Sequence, residues 1–60
     1  MADIEIAVDV QARTPKALKV FDGKVTCWIP RSQISDYVGE EDNPETIFIP
    51  EYIALDKGLI

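Results

Sequence analysis

The sequence contains no histidine, one cysteine and one tryptophan. A single thiol excludes an intramolecular disulfide, and one cysteine without histidine leaves a structural zinc site short of ligands. No Ser–His or Cys–His pair can be assembled, so an activated nucleophile is missing. Paired carboxylates on so small a body lack a cleft to hold them. The chain is therefore expected to be non-enzymatic and to carry no cofactor or metal. No apolar run approaches the roughly 18 residues of a membrane span, and no basic segment leads into an apolar one near Met1, so neither a span nor a signal peptide is expected. A lone thiol fits a cytoplasmic address.

Sixty residues, 47% of them hydrophobic, suit one small globular domain over residues 1–60 rather than a disordered chain. A chain this short buries only about 60% of the surface its unfolded form exposes. With disulfides and metals excluded, self-association is the remaining remedy, and a homodimer is the expectation. Basic residues are few, six against eleven acids, for a net charge of −5. They are also segregated: residues 1–12 carry −3, residues 13–31 carry +4 and residues 32–60 carry −6. A basic middle thus lies between acidic flanks.

That middle, residues 16–34, reads KALKVFDGKVTCWIPRSQI. Asp22-Gly23 between Phe21 and Lys24 predicts a hairpin with a two-residue type I′ turn, whose central residues need positive φ. The register that follows sets Val20 against Val25, Lys19 against Thr26, Leu18 against Cys27 and Ala17 against Trp28. Alternation then sorts the side chains. Leu18, Val20, Val25, Cys27 and Ile29 form a core face. Lys19, Phe21, Lys24, Thr26 and Trp28 form an outer face of aromatic rings and cations.

Residues 3–12 alternate almost perfectly, with Ile4, Ile6, Val8 and Val10 on one side, and predict one half-buried strand ended by Thr14-Pro15. After Pro30, Arg31-Ser32-Gln33 reads as a polar turn. A fourth strand is expected over residues 34–38, a loop over 39–45 and a fifth strand over 46–49. Pro50 and Glu51 suit the first turn of a helix reaching Lys57, and Gly58-Leu59 has the pattern of a Schellman cap. So short a helix must dock, through Tyr52, Ile53, Leu55 and Leu59. The expected fold is mostly β: a small five-stranded antiparallel SH3-like or OB-like barrel with a short C-terminal helix. An open meander with the helix on one face is the other arrangement.

Three segments resemble a family of very small, uncharacterised bacteriophage and prophage proteins. These are residues 14–23 (T-x-K-A-L-x-V-x-D-G), residues 28–34 (WIPRSQI) and residues 49–60 (I-P-E-Y-I-A-x-x-K-G-L-I). Their most specific part is W-[ILV]-P-[KR]-S-Q, matched by Trp28, Ile29, Pro30, Arg31, Ser32 and Gln33. Tyr52 stands where the family pattern favours Trp. The resemblance implies a setting among genes for DNA replication and recombination, in the cytoplasm of an infected host, and carries over no catalytic residue.

Two surfaces are candidates for function. Sheet-borne aromatics stack on unpaired bases while flanking cations track phosphates. Lys19, Phe21, Lys24, Thr26 and Trp28, extended by Arg31 and Arg13, therefore predict a single-stranded nucleic-acid site. In the competing reading Trp28 is core and the lysines only solvate its rim. The second surface is acidic: Asp36, Glu40, Glu41, Asp42 and Glu45. It reads as a solvated loop, or as a nucleic-acid mimic that occupies a basic groove on a host DNA-processing or defence protein. Calcium-loop spacing is absent. Pro30-Arg31-Ser32-Gln33 reads either as a sheet corner or as a phosphate contact through Arg31 and Ser32.

Overall fold

The computed structural model describes residues 3–60. In chain order its elements are β1 (Asp3–Ala7), β2 (Asp9–Arg13), β3 (Ala17–Phe21), β4 (Thr26–Pro30), β5 (Asp36–Glu40), β6 (Asn43–Pro50) and α1 (Glu51–Asp56), with one 3-10 turn at Arg31–Gln33. The strands make two antiparallel three-stranded sheets, ordered β1-β6-β5 and β2-β3-β4.

The alternating N-terminal segment is extended, as its pattern requires, but it is not one strand. It bends at Val8, which separates β1 from β2 and hands the chain from one sheet to the other. Val8 is buried, and its N–H donates to the Glu45 carbonyl at 3.0 Å. Ile4 and Ile6 before the corner and Val10 after it all face inward, so the sequence pattern runs through the corner without marking it.

The expected barrel of five strands is corrected to six strands that do not close. Polar composition conceals a hairpin in residues 39–45. Glu41-Asp42 is its turn, and Asn43 and Pro44 already belong to β6, opposite Glu40 and Gly39. Pro44 is tolerated because it adjoins a bulge at Glu45, where the ladder shifts register. Gly39 is required there: its φ is +104°, and a Cβ would lie 3.1 Å from the Glu45 nitrogen. The expected strand over residues 34–38 accordingly starts and ends two residues later, at Asp36–Glu40.

The core lies between the sheets. Leu18, Val20, Ile29, Ile47 and Ile49 are at most 1% exposed, and Ile6, Val8, Ala54 and Leu59 complete the cluster. Each fully buried branched aliphatic contributes roughly 1.5–3 kcal/mol. Helix α1 closes one end. Gly58 at φ +76° ends it, with Leu59 N–H donating to Ala54 O at 2.8 Å and Gly58 N–H to Leu55 O at 3.2 Å. Those two bonds are the Schellman pattern predicted from Gly58-Leu59. The docking face is corrected, however. Ile53, Ala54 and Leu59 pack on the core, while Tyr52 and Leu55 are 50% and 58% exposed. A helix of six residues presents one narrow stripe inward, and positions 52 and 55 flank it. Among the described residues no helix is long and apolar enough to cross a membrane.

Candidate nucleic-acid interface

The reversal between β3 and β4 sets the site. A type I′ turn at Asp22-Gly23 is excluded, because among the described residues only glycines have positive φ. Asp22 instead caps a four-residue loop, residues 22–25. Its Oδ1 accepts from the N–H of Val25 at 2.7 Å and of Lys24 at 2.9 Å, and its own N–H donates to Val25 O at 3.2 Å. Those donors, Val25 first, hold the Asp22 carboxyl below its ordinary value of 3.8. Gly23, at φ +107°, completes the loop.

The pairing therefore differs from the expected one: Phe21 faces Thr26, Val20 faces Cys27, Lys19 faces Trp28 and Leu18 faces Ile29. Moving the centre of a hairpin by one residue moves every partner by two. An even shift leaves each side chain on its original face, whereas an odd one would exchange the faces. The strand members of both sets thus keep their faces, whereas Lys24 and Val25 fall in the loop.

On the outer face β2, β3 and β4 present two rows of opposed residues. Asp9, Phe21 and Thr26 form one, and Ala12, Lys19 and Trp28 the other. Trp28 is 43% exposed, so it is not a core residue. Phe21 and Lys19 are half-buried beside it. Phe21, Lys19, Thr26 and Gln11 line an open depression of about 370 Å³. Gln11 belongs to the site because β2 bulges between Val10 and Ala12. Strict alternation gives no sign of that bulge. Lys24 leaves the sheet and stands exposed in the loop above the two rows.

Two other cations are engaged elsewhere. Arg31 donates from Nη1 to Asp42 Oδ1 at 2.8 Å and from Nε to Thr14 O at 3.0 Å. Arg13 donates from Nε to Asp42 O, also at 2.8 Å. Both arginines thus tie the β5–β6 turn to the β2–β3 connection rather than extending the cationic edge. The neighbouring residues are corner-builders as well. Arg31 N–H donates to Lys16 O, Ile34 N–H to Arg31 O, and Tyr52 Oη to Gln33 Oε1.

Asp36, Glu40, Glu41, Asp42 and Glu45 are all exposed, the first two on β5, the next two in its turn and Glu45 on β6. Of these, Asp42 alone is paired with a base among the described residues; Asp36 Oδ1 accepts from the N–H of Tyr37. Among the described residues no three Asp, Glu, Cys or His side chains converge as a metal site. Cys27 is half-buried on the core side, where desolvation raises its thiol pKa against the partial opposition of Lys57, so it stays protonated at neutral pH.

No protein-family model matches the chain, and neither a curated protein nor a solved structure is similar enough to count as a match.

Proposed function

We propose that the chain is a phage-type, non-enzymatic accessory protein that binds single-stranded nucleic acid weakly through the outer face of the β2-β3-β4 sheet. The observation that carries this reading is Trp28, 43% exposed and directly opposite Lys19. Indole and half-buried Phe21 offer two stacking surfaces, each worth about 1–3 kcal/mol per base. Lys19 and Lys24 supply charge for the intervening phosphates, and Thr26 and Gln11 supply uncharged polar groups. The resemblance to small phage proteins supports a nucleic-acid setting.

A net charge of −5 limits the affinity. Carboxylates farther away than about 8 Å are screened at physiological salt, but Asp9, in the same row as Phe21, is not distant. Binding is therefore expected in the micromolar range at low salt and to fall steeply as salt rises. Titrating an oligothymidine into the protein while following Trp28 emission tests the reading. Absence of quenching at high micromolar concentrations would end it. The mimicry reading has less support, since Asp42, at the centre of the acidic hairpin, is neutralised within the chain by Arg31.

A further inference from the structure

A second surface lies on the other sheet. β5 has one neighbour, β6, and every one of its residues is exposed. A strand paired on one side presents a row of N–H and C=O groups on the other, although the Tyr37 N–H of β5 already donates to Asp36 Oδ1 at 2.8 Å. The remaining edge strands are protected in different ways. β1 packs against α1, β2 is bulged and lies beside β6, and β4 ends in Pro30. β5 carries no proline, no lysine and no inserted residue, the bulge in its ladder falling on β6.

Its core-side face is incomplete as well. Tyr37 pairs with fully buried Ile47 and so points toward the interior, yet it is 41% exposed. The reason is a gap between the sheets where a closed barrel would continue. Leu18, Ile34 and Tyr37 line a cleft of about 130 Å³ there, with Arg31 and Glu41 at its rim. That volume approaches the roughly 150 Å³ apolar cavity that accepts benzene, enough for one apolar side chain.

We infer that β5 accepts an extended, basic segment of a partner protein as an added strand, with one apolar side chain of that segment filling the cleft beside Tyr37. Backbone pairing supplies the affinity and the cleft the register, as in other strand-addition complexes. Charge selects the occupant. Among the described residues no base pairs with Asp36, Glu40 or Glu41 along this edge, so lysine or arginine at alternate positions of the incoming strand is favoured. A second copy of β5 is disfavoured for the same reason: centred on Val38, antiparallel self-pairing sets Asp36 against Glu40 twice.

The test uses three synthetic peptides of about seven residues, the length of an ordinary strand: alternating Lys-Val, alternating Glu-Val and alternating Lys-Val methylated at every backbone nitrogen. Binding is read from the amide resonances of the protein. The Lys-Val peptide is expected to shift the amides of residues 36–40 with a Kd of about 1 mM or lower. Glu-Val should fail by charge, and the N-methylated Lys-Val peptide should fail because it keeps the charge but has no N–H donors for the ladder. The double variant Glu40→Lys/Glu41→Lys, at two exposed positions, should exchange the preference between the Lys-Val and Glu-Val peptides by about tenfold or more. Equal binding of the Lys-Val peptide and its N-methylated form would reduce the effect to bulk charge and overturn the proposal. So would an unperturbed β5 at millimolar peptide, or a protein dimer that the Lys-Val peptide displaces.

Discussion

Arg31, the first residue of the 3-10 turn after β4, and Asp42, in the β5–β6 turn, are joined at 2.8 Å across the mouth between the two sheets. The pair is lopsided, with Arg31 25% exposed and Asp42 69% exposed. An ion pair this open to water contributes about 0–1 kcal/mol. Arg31 also donates to the Thr14 carbonyl, whereas Arg13 reaches the Asp42 backbone and does not need the Asp42 side chain. Arg31→Ala should therefore destabilise by about 1–2 kcal/mol and Asp42→Ala by less than about 1 kcal/mol. Urea denaturation of both variants measures this asymmetry; equal losses would refute it.

On the outer sheet face, Trp28→Ala should weaken oligonucleotide binding by at least about 1 kcal/mol, since one stacking surface is lost. Trp28 is 43% exposed, so the same change should affect folding far less than a core truncation would. Lys19→Gln or Lys24→Gln should act on the salt dependence instead. Each phosphate contact contributes about −0.7 to the log–log slope for a single strand, and each variant should flatten the slope by about that amount. Lysine changes that lower affinity at an unaltered slope would remove the phosphate role.

At the C-terminal end, Leu59→Ala should cost about 2–5 kcal/mol, a large part of what a domain of this size possesses. Gly58→Ala should cost about 1–2 kcal/mol, because an L-residue at φ +76° crowds its own carbonyl, although no atom lies within 4 Å of the added methyl. Tyr52→Ala and Leu55→Ala, at half-exposed positions, should be milder than Leu59→Ala. Thermal melts rank the four, and a Leu55 variant as damaging as the Leu59 one would contradict the observed docking face.

Asp22 gives a pH signature. Its folded pKa lies below the ordinary 3.8, so the carboxylate stabilises the loop above the unfolded value. That contribution is fully present at neutral pH and is lost as pH falls through 3.8 toward the lower folded value. Asp22→Ala should be less stable than the parent at pH 7, and the difference should shrink on acidification below that value. A difference that stays constant down to strongly acid solution would mean that the carboxylate does not cap Lys24 and Val25.

Alternation alone identified the inward side chains. Ile6, Val8, Leu18, Val20 and Ile29 all point to the core, and Trp28 with Lys19 points away from it. This held even though the hairpin loop proved longer than Asp22-Gly23 suggests, because a two-residue shift in partners preserves parity. The helix cap was legible for a similar reason: Gly58 and Leu59 act within one turn of chain.

What depended on distant partners was not legible. The corner at Val8 lies inside an unbroken alternation and exists because the Glu45 carbonyl and a second sheet receive it. The polar residues 39–45 form a hairpin because Gly39 permits the bulge at Glu45 of β6. Arg13 and Arg31 fall within the basic stretch of the sequence, yet folding spends both on Asp42. Side-chain period and local caps are properties of neighbouring residues, so the sequence by itself determined them. Corners, the open gap beside Tyr37 and the pairing of charges are properties of segments tens of residues apart, and only the tertiary structure decided those.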